Sequence, residues 1–136
     1  MMYLVSDTTN YNTFLARLQN SAQYGNIEAV LFYQGESDTL TYDDAVNWCD
    51  RFEQFVTDLR DDLDMPDLPV IFAQVGTFKT PTAYHDELQA RQAAFSMDGV
   101  SMVPTYDLPL WDDPNNNVHL SAEGEYILGQ RFSGAL

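Results

Sequence analysis

The sequence predicts an α/β fold with three layers, α/β/α, around a small, mostly parallel, doubly wound sheet. Three observations carry that prediction. Short apolar runs rich in β-branched and aromatic residues alternate with stretches whose apolar residues recur every three to four positions, the pattern of βαβ units. The runs themselves, above all Ala29-Val30-Leu31-Phe32-Tyr33, are apolar without alternation, as strands buried on both faces are. A length of 136 residues, 45% of them hydrophobic, suffices for one core, so one domain spanning 1–136 is expected without staples.

Met2 to Val5 reads as a first short strand, and Ser6-Asp7-Thr8-Thr9-Asn10 as a turn with several helix-capping side chains. Tyr11, Phe14, Leu15 and Leu18 then mark a helix that ends before Gly25. The strand Ile27–Tyr33 follows. Thr41 with Asp44 three residues on resembles a capping box and opens the best helix of the chain. Its apolar positions Ala45, Cys49, Phe52, Val56, Leu59 and Leu63 keep a three-four spacing, and Pro66 is expected to end it. Leu68 to Val75 reads as a second buried strand closed by Gly76, and Thr82 to Ser96 as a helix. Val100 to Val103 is a short third core strand. A long loop, Pro104 to Asn117, with Pro109, Pro114 and three consecutive asparagines, leads to a last helix capped by Ser121, with Tyr126, Ile127, Leu128 and Phe132 on its apolar face.

Charge narrows the function. Twenty-one acidic residues face six basic ones, and the net charge of -15 repels phosphate backbones and anionic lipid, so neither nucleic acid nor a membrane is expected as a partner. No apolar run approaches the roughly 20 residues of a membrane span. Met1-Met2-Tyr3-Leu4-Val5 lacks the basic start and long apolar core of a secretion signal, and nothing fixes the compartment. Cys49 is the one cysteine, so no intrachain disulfide or thiolate cluster is available; on its helix face it reads as a small hydrophobe. Two histidines far apart among dispersed acids give no metal-ligand spacing, and no cofactor is expected.

Two polar clusters remain. Gln34-Gly35-Glu36-Ser37-Asp38 stands at the carboxyl end of a predicted strand, where open α/β sheets place ligands. His119 stands at a loop-to-helix junction, with Asp112 and Asp113 before it. An imidazole oriented by a carboxylate is the commonest general base. His85, next to Asp86 and Glu87 on a helix, reads as a solvated side chain without a role.

Tyr33-Gln34-Gly35-Glu36-Ser37-Asp38, paired with His119-Leu120-Ser121-Ala122-Glu123-Gly124 and Leu128-Gly129, resembles the SGNH/GDSL hydrolases, and within them the sialate O-acetylesterase and carbohydrate esterase family 6 branch. Ala90-Arg91-Gln92 and Val103 to Asp107 are similar to the region between those blocks, so the resemblance covers the chain from about Asn10 onward. It implies a flavodoxin-like sheet and deacetylation of a carbohydrate through a serine. In it His119 matches the general base, Gln34 an amide that stabilises the oxyanion, Gly35 a close backbone approach, and Glu36 and Ser37 supporting residues. Asp38 matches a cap for the following turn.

Two departures stand out. The position three residues before the histidine, where the family carries its triad acid, is Asn116; Asp113, or less favourably Asp112, is expected to substitute. The Gly-x-Ser nucleophile block after the family's first strand is missing, so the chain looks truncated at its N-terminus. Ser6 is a weak stand-in, and the nucleophile stays unidentified. Loss of a central strand leaves unpaired backbone, to be resolved by closure of the sheet, by a strand from a homo-oligomer or partner chain, or by a longer product. The expected function is an SGNH-type O-acetylesterase, or the C-terminal part of one, acting on an acetylated carbohydrate or small ester. The alternative is a non-catalytic carbohydrate-binding or structural subunit.

Overall fold

The computed structural model describes residues 9–76 and 78–136. The predicted strand at Met2–Val5 and Ser6 lie outside them. In order the elements are α1 (Thr9–Ser21), β1 (Val30–Phe32), a 3-10 turn (Glu36–Thr39), α2 (Tyr42–Leu63), β2 (Val70–Ala73), α3 (His85–Ala94), β3 (Val100–Val103) and α4 (Ala122–Ala135). The three strands form one parallel sheet in the order β1-β2-β3. This is the expected α/β fold, with helices on both faces.

Alternation along the strands sorts the faces. Val30, Phe32, Val70 and Phe72 point to the side covered by α1, α2 and α3, where an aromatic cluster fills the core. Trp48 stacks on Phe52 at 4.8 Å between centroids, and Phe52 meets Phe72 edge-on at 5.1 Å. Ile71, Ala73 and Val103 point the other way, against Leu128 and Phe132 of α4. β2 is buried throughout, as the middle strand of a parallel sheet must be.

The helix ends follow local chemistry. Thr41 Oγ1 accepts the Asp44 N–H at 3.2 Å, and the Thr41 hydroxyl donates to the Asp44 carboxylate at 2.6 Å. That bond, and Arg51 Nη1 at 2.8 Å, hold the Asp44 carboxyl below the usual carboxylate range. α2 stops before Pro66: Asp64 takes a left-handed conformation, φ 53°, and its N–H turns back to the last carbonyls of the helix. Ser121 caps α4 by accepting the Gly124 N–H at 3.1 Å. Gly124 has to be glycine, because a Cβ there would stand 2.5 Å from the Pro109 carbonyl oxygen.

Two expectations fail. β1 is not buried on both faces, since Leu31 is 52% exposed while its register partner Ile71 is 1% exposed. The layer formed by α4 packs on β2 and β3 and leaves Leu31 uncovered. His85 is not solvated but buried: its Nε2 lies 2.7 Å from the Gly76 carbonyl oxygen and its ring packs on Phe78 at 4.9 Å. The first turn of α3 folds back onto the end of β2, and the imidazole fills that junction. Nδ1 lies 3.0 Å from the Asp86 carboxylate, so the acid that suggested a wet surface is a partner.

Candidate active site

β1 ends at Phe32, and the chain continues as Tyr33-Gln34-Gly35 into the 3-10 turn. Gly35 sits at φ 144°, where a Cβ would come within 2.9 Å of Val75 Cγ2 and 3.2 Å of Trp48 Nε1. Only glycine lets the turn lie this close to the core. Glu36 accepts the Gly35 N–H at 3.1 Å, and Gln34 Nε2 donates to the buried Asp38 at 3.2 Å. The Oε1 of Gln34 is enclosed without a hydrogen-bond partner. Asp38 therefore anchors the Gln34 amide.

Tyr33 forms the inner wall. Thr105 Oγ1, beside the phenol, donates to the Gln74 carbonyl at 2.7 Å. Burial, then the neighbouring charge of Glu36, pushes the Tyr33 phenol up to about 12.

The loop before α4 brings the histidine to this wall. Leu110 and Leu120 form an antiparallel bridge, flanked by Trp111 N–H to His119 O and Ser121 N–H to Pro109 O, both 2.9 Å. Buried Asn116 fills the turn: its Oδ1 accepts the N–H groups of Val118 and His119 at 3.2 and 2.8 Å, and its Nδ2 donates to the carbonyls of Trp111 and His119, each at 2.9 Å. Lys79 Nζ clamps the outside, donating to the carbonyls of Trp111 and Asp113 at 2.9 Å.

His119 and the first block line one cleft of about 650 Å³, with Tyr33, Glu36 and Ser37 on one side, Val118 to Leu120 on another, and Glu125, Leu128, Gly129 and Phe132 of α4 on the third. The structure thus brings together His119, Glu36 and Ser37. Gln34 and Gly35 adjoin that lining in the chain and are not part of it. Asp113 is on the same loop as His119, but one of its carboxylate oxygens accepts the Asn115 N–H at 2.7 Å. Asp112 is exposed beside it. The His119 imidazole is exposed and bonded to none of the described residues. Sequence reasoning passed over Tyr33 and Glu125; an aromatic directly after a predicted strand was the available signal for the first, and α4 periodicity for the second. Among the described residues no group of three or more His, Cys, Asp or Glu is placed to hold a metal, and no helix is long and apolar enough to cross a membrane.

The sequence profile described as carbohydrate esterase, sialic acid-specific acetylesterase, matches residues 2–136. The chain belongs to this family. A probable carbohydrate esterase of Arabidopsis thaliana is 33% identical over 126 residues, covering 92% of this chain and 46% of that protein. The crystal structure of that Arabidopsis protein superimposes with a TM-score of 0.89 at 30% identity, over 98% of this chain and 54% of that one. A carbohydrate acetylesterase from Xanthomonas citri shares the fold, with a TM-score of 0.56 at 20% identity over 76% of this chain and 24% of its own. The chain thus spans about half the length of the Arabidopsis relative it matches. Membership in this carbohydrate esterase family accords with the resemblance read from the two polar blocks.

Proposed function

We propose that this chain builds the acid–base side of a serine-type carbohydrate O-acetylesterase site. The observation that carries it is the single cleft shared by the Tyr33–Ser37 block and His119, segments some eighty residues apart that bring a carboxylate and a hydroxyl, those of Glu36 and Ser37, to the same opening as the imidazole. In this proposal His119 takes the proton from an attacking hydroxyl and returns it to the leaving sugar oxygen. Glu36 orients the imidazole, since it lines the same cleft and Asp113 does not; a backbone N–H holds one oxygen of each carboxylate. The Gln34 amide, held by Asp38, offers its second N–H to the oxyanion.

The attacking hydroxyl comes from outside the described residues. Ser37 lines the cleft, but no hydrogen bond joins it to His119. The open face at Leu31, the outer edge of β1 and the half-length match to the relatives all support delivery from a segment on that side. Ser6 is the serine of this chain outside the described residues.

Labelling with a fluorophosphonate tests this. Modification of a serine other than Ser37, abolished by His119→Ala, is expected. Labelling that survives His119→Ala contradicts the proposal. A chain that is never labelled yet binds acetylated sugar supports the second reading, a non-catalytic carbohydrate-binding subunit, which the unpartnered imidazole and Asn116 favour.

A further inference from the structure

Trp111 is one of two large aromatic side chains left in the open on the loop that carries His119, 55% exposed beside Tyr106 at 66%, and it is the one nearer the histidine in the loop's pairing. Exposure of an indole costs apolar burial, so its setting matters. Its backbone is fixed at both ends: the N–H donates to His119 O, and the carbonyl accepts from Lys79 Nζ and Asn116 Nδ2, each at 2.9 Å. The register of the Leu110–Leu120 bridge puts Trp111 directly opposite His119. Residues directly opposite across an antiparallel pair project their side chains to the same side. An exposed indole with a fixed backbone therefore projects from the position opposite His119, on the same side as the imidazole and just outside the residues that line the cleft.

The flanking groups narrow what such a ring would meet. Asp112 and Asn115, both exposed, follow Trp111 closely in the chain and offer a carboxylate and an amide near one apolar plane, while Asn117 is engaged by the Thr80 backbone. A pyranose presents the matching pair of features, an apolar face of C–H groups and a rim of hydroxyls. A preformed ring loses little conformational entropy on binding, which is how a single aromatic contributes affinity.

We propose that Trp111 is a carbohydrate subsite, its indole face stacking on the pyranose ring of a sugar whose acetyl ester sits beside His119. This inference rests on the esterase reading for the identity of the ligand. The subsite is read by sugar binding, whereas the reaction is read by turnover of a sugar-free ester.

The test titrates the purified chain with a mono-O-acetylated methyl glucopyranoside, followed by NMR shifts and by tryptophan fluorescence. Trp48 is fully buried and serves as an internal reference, so a fluorescence change lost in Trp111→Phe belongs to Trp111. Trp111→Ala should weaken binding about tenfold, and Trp111→Tyr should restore it to within about threefold of wild type. Turnover of p-nitrophenyl acetate should stay within about twofold in both variants, because that ester carries no sugar ring. Equal affinity of wild type and Trp111→Ala, or no sugar binding by the wild type, overturns the inference. Trp111-dependent sugar binding without any ester turnover upholds it and counts against the esterase reading alone.

Discussion

Asn116 grips His119 at both of its backbone polar groups, accepting the His119 N–H at 2.8 Å and donating to the His119 carbonyl at 2.9 Å. Two carbonyls, those of Trp111 and His119, point at the same side-chain nitrogen. An amide satisfies them, whereas a carboxylate would face them with like partial charge. The residue at the family's acid position is thus a loop staple whose side chain is spent on backbone.

Asn116→Asp should therefore destabilise the chain by about 2 kcal/mol at pH 8, the cost of losing two hydrogen bonds and setting a carboxylate against two carbonyls that keep only the donors Lys79 Nζ and Trp111 N–H. Protonation restores one donor, so the loss should shrink as pH falls toward 4.5. Urea unfolding at both pH values checks this, and the substitution should not raise esterase turnover.

Tyr33 sets an alkaline limit. The phenol sits near 10 in the unfolded chain and at about 12 when folded. A raised value means that the folded state holds its proton longer. The associated stability is fully present below pH 10 and is lost as pH rises through 12, by up to about 2 kcal/mol. Tyr11 is raised too, by burial first and then by its bond to Asp62, so the Tyr33 share is the difference between wild type and Tyr33→Phe across that window.

Gly124→Ala should cost about 1–3 kcal/mol, since a Cβ 2.5 Å from the Pro109 oxygen forces the start of α4 off the loop. Gly129→Ala, where nothing lies within 4 Å, should be neutral or slightly stabilising. Thermal unfolding of the pair separates close approach from helix propensity.

Among the described residues Glu36 and Glu125 line the cleft, and no Lys or Arg does. An acetylated sugar bearing a carboxylate should bind at least about fivefold more weakly than a neutral one at low salt, and the gap should narrow as ionic strength rises toward about 0.5 M. Affinities measured across a salt series, with Glu125→Gln as the control that reduces the gap, check this.

Much of the architecture was legible before any coordinates. The three-four spacing from Ala45 to Leu63 gave α2, and Thr41 and Ser121 announced their caps, because these signals are local. What was not legible depended on distant partners. The burial of His85 is decided by Phe78 and the Gly76 carbonyl. The work of Asn116 is decided by the Trp111 carbonyl, which the string AsnAsnAsn does not reveal. Leu31 reads as core because an apolar run looks the same whether or not this chain covers its second face. Within the site, the meeting of the Gln34 block with His119 was anticipated, while the engagement of Asp113 by Asn115 was not.

The most direct measurement is acetate release from an O-acetylated sugar by the purified chain beside its His119→Ala and Glu36→Gln variants. Release that falls at least about 100-fold in the first and measurably in the second, with both variants folded, is the predicted result. Release unchanged by His119→Ala would contradict the assignment of this cleft as the place where the ester is cleaved.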